Sequence, residues 1–290
     1  MFKGALTALI TPFRDGAVDA PALRELIEWQ IQSGIDGLVP CGSTGESATL
    51  THGEHDSVIK ITIEQTRRRV PVIAGTGSNS TAEAIRLTAA AREMGADGAL
   101  LISPYYNKPT QDGIFRHYKT IAASVDLPLL VYNIPGRTAS NIAPETFARL
   151  AEVKNIVGIK EASGSMDQSS DILKLCGERL TILSGDDALT LPLMALGAKG
   201  VISTCSNAVP RAMHDLAAAG SAGDFAKARE IHYQLLPLIR ALFVETNPIP
   251  IKQALAFMGK CANELRMPLV AMTAAPAEKL RLAMKELRLA

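Results

Sequence analysis

The chain has 290 residues, 47% of them hydrophobic, and a formal net charge of +1; this is ample for a large core and gives no electrostatic reason to expect nucleic acid or an anionic membrane as partner. Its four cysteines, Cys41, Cys176, Cys205 and Cys261, are dispersed with no CxxC pair, which suggests neither a zinc site nor a disulfide framework and fits a reducing cytoplasm. The apolar stretch at residues 5–10 is too short for a signal-peptide core and no other run could span a bilayer, so a soluble cytoplasmic protein is expected.

Along the chain, short β-rich runs alternate with helical patterns. Strands are predicted at residues 6–11, 37–40, 70–74, 98–102, 128–132, 156–160, 181–184 and 200–203. Amphipathic stretches such as 22–33, 82–94, 113–124 and 144–153 fall between them. Thr51-His52-Gly53-Glu54 reads as a capping box, Ser80 and Thr81 precede another helix, and Gly95 and Gly197 stand where a C-terminal glycine is expected. Asp186 and Asp187 read as caps of the seventh helix. Eight βα units in succession favour an α/β fold of the (β/α)8 TIM-barrel type over an open doubly wound sheet. Strand signals stop after about Gly220, and 224–244, 250–259 and 276–287 read as helices. The expected organisation is therefore a catalytic barrel over 1–222 and a C-terminal helical region over 223–290.

In such barrels the active site sits at the C-terminal ends of the strands. Lys160 stands at the end of the sixth, in the apolar run Ile156-Val157-Gly158-Ile159-Lys160. A lysine buried there tends to lose its proton and become a nucleophile able to form a Schiff base with a carbonyl substrate. The alternative is an amine that reaches water or pairs with a carboxylate across the barrel. Tyr132, on the preceding strand at similar depth, can meet Lys160 inside the barrel and shuttle protons, or can simply fill core volume. Gly42-Ser43-Thr44-Gly45-Glu46-Ser47 lacks the lysine of a Walker A loop. Its two hydroxyls between glycines suit a small carboxylate, or form an ordinary strand-to-helix turn. Glu46 is read as bracing that loop. Arg137, the only arginine in the strand-end loops, can hold a second carboxylate or lie idle in solvent. His52 and His55 have no third ligand nearby in sequence, so no metal is expected.

The motifs GSTGES, PYYN, YNIPGRT, GIKEAS and LSGDD occur in one order along the chain. Together, and nearly end to end from Phe2-Lys3-Gly4 through Asn247-Pro248-Ile249-Pro250-Ile251-Lys252 to the C-terminal helix, they resemble the dihydrodipicolinate synthase family. That family lies in the superfamily of pyruvate-dependent class I aldolases that includes N-acetylneuraminate lyase. The resemblance implies condensation of pyruvate with L-aspartate 4-semialdehyde to 4-hydroxy-tetrahydrodipicolinate, the first committed step toward diaminopimelate and lysine, with no cofactor. It implies that Lys160 forms the Schiff base and that Tyr132, Thr44 and Tyr106 make a proton relay, Tyr106 coming from a neighbouring subunit. It also implies that Ser43 and Thr44 hold the pyruvate carboxylate, that Arg137 binds the semialdehyde, and that Gly185 and Ile202 contribute backbone atoms. Ser43 stands where some members have threonine. A site for inhibitory L-lysine is implied at Ser47, Ala48, His52, His55, Asn79, Glu83 and Tyr105, the plainer reading being that the two histidines merely sit in the exposed first turn of a helix. A homotetramer, a dimer of dimers, is the implied assembly. The same lysine, tyrosine and GSTGES loop would also serve another pyruvate aldolase; Arg137 and the Tyr105-Tyr106 pair weigh against that.

Overall fold

The computed structural model describes residues 2–289. Eight parallel strands form its centre: β1 (Gly4–Ala8), β2 (Gly37–Val39), β3 (Ile73–Gly75), β4 (Gly98–Ile102), β5 (Leu129–Asn133), β6 (Ile156–Glu161), β7 (Thr181–Ser184) and β8 (Gly200–Ser203). They pair in the order β2-β1-β8-β7-β6-β5-β4-β3. A parallel bridge between Leu38 and Val72, with Gly75 N–H donating to Pro40 O at 2.9 Å, joins the two ends. The result is the (β/α)8 barrel.

The strands are apolar on both faces because both are covered, as parallel sheets require. On β5, Leu130 and Tyr132 belong to the inner cluster with Leu6, Val39, Leu183 and Ile202, whereas Leu129 and Val131 pack outward against the helices. The same alternation puts Ile159 in the outer layer and its neighbour Lys160, the register partner of Tyr132, inside. Phe2 closes the N-terminal end of the barrel against Gly98, where a Cβ would come within 2.8 Å of its ring. Side-chain layers thus fill the barrel from below and leave the C-terminal end for chemistry.

The capping signals behave as the residue chemistry requires. Thr51 and Glu54 form a reciprocal capping box on the helix His52–Thr66, and Ser80 caps Thr81–Met94, which ends on Gly95 in the left-handed region. Several boundaries differ from expectation. The first strand ends at Ala8, not at residue 11, because Leu9 and Ile10 turn outward into the helix-facing core. The third begins at Ile73, with Pro71 lacking the N–H a ladder needs. Asp186 does cap a short turn, donated to by Ala188 N–H at 2.9 Å, but Asp187 does not: its buried carboxylate accepts Thr204 N–H at 3.1 Å and Cys205 N–H at 2.9 Å. Among the described residues only helices follow β8: Pro210–Ser221 completes the barrel, and Phe225–Ala241, Ile249–Phe257 and Ala274–Glu286 come after it. Their apolar faces, with Leu235, Leu238, Ile251, Leu255 and Leu280, share one core with Leu23, Leu26 and Ile27 of the first barrel helix.

Candidate active site

Lys160 is buried to 6% exposure at the C-terminal end of β6. Its Nζ lies 4.2 Å from the centroid of the Tyr132 ring. Burial lowers the ammonium to about 8; Asp187 opposes that shift and Arg137 adds to it. Among the described residues no carboxylate pairs with this amine, in contrast to Lys252, the other buried lysine, which pairs with Glu46. Burial pushes the Tyr132 phenol in the opposite direction, well above the usual range, so its hydroxyl stays protonated. An amine poised near neutrality beside a proton donor is the arrangement that imine chemistry needs. Space for the amine comes from Gly185, where a Cβ would sit 3.0 Å from Lys160 Cε and 2.7 Å from Ala162 Cβ. Ile202, at 1% exposure, belongs to the inner cluster with Tyr132.

A cavity of about 470 Å³ opens over this end of the barrel, walled by Ser43, Tyr132, Arg137, Thr138 and Asn247 on one side and continuing to Ser47, Ala48, His52, His55, Glu83 and Tyr105 on the other. Ser43 is half-buried and Thr44 is 3% exposed. Thr44 Oγ1 accepts from Asn247 Nδ2 at 3.0 Å and lies 3.4 Å from Thr204 Oγ1. Arg137, on the short helix Pro135–Thr138, donates from Nη2 to Asn247 O at 2.8 Å while its surface remains exposed. Asn247 therefore touches both the hydroxyl of the GSTGES loop and the guanidinium. Sequence reasoning gave no role to Asn247 or Thr204 and missed the inward role of Asp187: the first two meet Thr44 from far off in the chain, Asp187 meets the end of the next strand, and local pattern carries no trace of either.

Tyr106 stands apart. It is 88% exposed with φ of 70° and does not line the cavity of its own chain. The other group of expected residues does converge. His52 Nε2 lies 3.0 Å from Glu83 Oε1, Ser78 Oγ donates to Glu83 Oε2 at 2.5 Å, and Asn79 Nδ2 donates to Tyr105 O at 3.1 Å. Ser78 and His52 hold the Glu83 carboxyl below its ordinary value. His55 is not in an exposed turn: it is 4% exposed, its Nε2 lies 2.8 Å from Gly75 O, and burial lowers its pKa. No cluster of three or more His, Cys, Asp or Glu that could hold a metal occurs among the described residues, and no described helix is long and apolar enough to cross a membrane.

The fold and this site define a class, the (β/α)8 barrels that carry a buried, unpaired lysine at the C-terminal end of the sixth strand. Residues 1–287 match the model of the dihydrodipicolinate synthetase family. The 4-hydroxy-tetrahydrodipicolinate synthase of Syntrophus aciditrophicus is 59% identical over 285 residues, 98% of each chain. Among solved structures, the dihydrodipicolinate synthase of Acinetobacter baumannii complexed with pyruvate is 44% identical, covers 100% of both chains and superposes with a TM-score of 0.99. That of Cyanidioschyzon merolae with lysine bound is 41% identical, covers 100% of this chain and 99% of its own, and has a TM-score of 0.97. The chain belongs to the dihydrodipicolinate synthetase family and is an enzyme, a lyase.

Proposed function

We propose that the protein condenses pyruvate with L-aspartate 4-semialdehyde to give 4-hydroxy-tetrahydrodipicolinate, through a Schiff base on Lys160. The observation that carries this reading is the unpaired, buried Lys160 amine 4.2 Å from the ring of Tyr132, which with Arg137 lines the cavity although Lys160 itself does not. The pyruvate complex of the Acinetobacter relative supports the first substrate.

The neutral amine attacks the pyruvate ketone, and water leaves to give the imine. Loss of a methyl proton yields an enamine, whose carbon attacks the aldehyde of the second substrate. The substrate's own amine then closes the ring and displaces Lys160. Tyr132 donates and recovers protons, with Thr44 passing them on. Ser43 and Thr44, at the head of a loop walling the cavity, take the pyruvate carboxylate; Gly185 and Ile202 offer backbone atoms beside it. Arg137 takes the carboxylate of the semialdehyde, a planar bidentate match. Tyr106 completes the relay from a neighbouring subunit, which accounts for its exposure here, so a dimer is the working unit and a dimer of dimers the expected assembly. No step calls for a metal or organic cofactor, because the lysine imine serves as the electron sink.

L-Lysine is the proposed inhibitor, its ammonium on Glu83 and its remaining polar groups among Ser47, Ala48, His52, His55, Asn79 and Tyr105. The lysine-bound Cyanidioschyzon relative supports this. The four unpaired cysteines support a cytoplasmic location.

The test is pyruvate consumption by the purified protein with the semialdehyde or with N-acetylmannosamine, each with and without lysine. Turnover confined to the semialdehyde, suppressed by lysine, is expected. Turnover with the sugar alone would transfer the reading to a sugar-acid aldolase.

A further inference from the structure

The chain contains a second fully buried lysine that the chemistry above does not use. Lys252, on the helix Ile249–Phe257, is 0% exposed, and its ammonium pairs with the Glu46 carboxylate, itself 4% exposed. The same ammonium donates to Glu264 O at 2.7 Å and lies 4.0 Å from the Phe13 ring centroid. Glu46 stands two residues beyond Thr44, and its backbone is held at φ of 53°. That left-handed conformation disfavours a side-chain-bearing residue, and it persists only where the surroundings impose it.

The surroundings here come from the C-terminal region. Arg266 N–H donates to Glu46 Oε2 at 3.1 Å, and Arg266 Nη1 donates to Thr49 O at 3.0 Å. On the near side Asn247 Nδ2 donates to Thr44 Oγ1 at 3.0 Å. From below, Thr11 Oγ1 donates to Gly45 O at 2.7 Å. The loop is therefore gripped at Thr44, Gly45 and Glu46, and the charged grip at Glu46 is the one sealed from water. Removing one partner of a sealed ion pair leaves an uncompensated buried charge, which must either move or draw water in.

We propose that Lys252 is a positioning residue for the pyruvate carboxylate: through Glu46 it sets where Ser43 and Thr44 stand. This role rests on the pyruvate reading given above. It makes the helix Ile249–Phe257 part of the active-site apparatus, although Lys252 never touches substrate.

The experiment uses the full chain, with Lys252→Met, Glu46→Gln and the double variant. For each, the pyruvate concentration giving half-maximal borohydride trapping on Lys160 is measured beside the melting temperature and the KM for semialdehyde. Because small displacements of a positioning group have large effects, Lys252→Met should raise the half-saturating pyruvate concentration by about tenfold or more, with the semialdehyde KM changed less than about twofold. The double variant buries no unpaired charge, so its melting temperature should return toward that of the natural protein while the pyruvate requirement stays high. If Lys252→Met does not fold, the double variant alone decides the matter. An unchanged pyruvate requirement in a folded variant, or one restored in step with the melting temperature, overturns the proposal. Absence of any adduct on the unaltered protein overturns the pyruvate reading itself, and this role with it.

Discussion

Lys160 and Tyr132 are direct register partners on adjacent parallel strands, and the amine of one lies 4.2 Å from the ring centroid of the other. Burial acts on the two groups in opposite senses. It drives the ammonium to lose its proton and the phenol to keep its own, with the nearby charges of Asp187 and Arg137 adding smaller effects, which is the pairing the proposed nucleophile and acid need.

The lowered lysine has a consequence for stability. Its value is about 8 when folded and 10.5 when free. Below pH 8 both states carry the proton and the folded state bears the full burden of the buried charge. Between 8 and 10.5 the unfolded state binds more protons, so stability rises with pH across that window. Lys160→Met should therefore stabilise the protein at pH 7 by about 3 kcal/mol, while abolishing the pyruvate adduct. Urea unfolding at a series of pH values checks this; the gap between the two proteins should narrow as pH rises through the window. In the unaltered protein, the rate of adduct formation should climb to about pH 8 and then level off. A constant stability gap would show that Lys160 is not desolvated as described.

Tyr132→Phe keeps the ring over the amine and removes only the hydroxyl. If the phenol moves protons, kcat should fall by about 100- to 1000-fold, within the range for general acid–base groups. The borohydride adduct should still form, more slowly. A variant with near-normal kcat would reduce Tyr132 to a packing residue.

Arg137 is anchored through Nη2 on Asn247 O yet remains exposed at the cavity rim. Arg137→Ala should raise the KM for semialdehyde by about 10- to 100-fold, the loss expected for a hydrogen-bonded charge, and alter pyruvate trapping far less, only through its minor part in lowering the Lys160 ammonium. Arg137→Lys should recover little, since an ammonium cannot reproduce the planar fork. Equal effects on both substrates would place Arg137 with the loop rather than with the second carboxylate.

Glu83 is the one carboxylate in the second group of residues that lies between two donors, Ser78 and His52. Glu83→Gln keeps the shape and removes the charge. Inhibition by lysine should weaken by about tenfold or more, the contribution of a charge-assisted bond. Rates measured with and without lysine report it, and undiminished inhibition would move the ammonium elsewhere.

How much of this could be read from residues alone depended on range. The strands at 98–102, 181–184 and 200–203 stand where expected because a parallel strand covered on both faces is a continuous apolar run. Lys160 was legible as an interruption of such a run. The first strand was not bounded correctly, since Leu9 and Ile10 prolong the apolar run after the backbone has left the sheet. Asn247 and Lys252 were invisible as site residues for a different reason. Each meets its partner across about 200 residues, Thr44 in one case and Glu46 in the other, and no periodicity encodes such a meeting. Lys252 did leave one mark, a lysine in a helix whose other residues are apolar except Gln253, the same kind of mark that singled out Lys160.

Tyr106 offers the sharpest test of the assembly. Its side chain is 88% exposed and outside the cavity of its own chain, yet the proposed relay requires it. If it serves a neighbour's site, two inactive proteins should rescue each other. Lys160→Met supplies an intact Tyr106 but no nucleophile; Tyr106→Phe supplies an intact Lys160 but no relay hydroxyl. After denaturation and refolding together in equal amounts, half the dimers pair unlike chains, and each such dimer holds one complete site. Activity should return to about a quarter of that of the unaltered protein, as a two-fold exchange of Tyr106 requires. A tyrosine acting within its own chain can never be combined with Lys160 by mixing, because the Tyr106→Phe chain carries both the lysine and the defect. No recovery in mixtures shown by mass to contain unlike pairs would place Tyr106 outside the neighbour's relay.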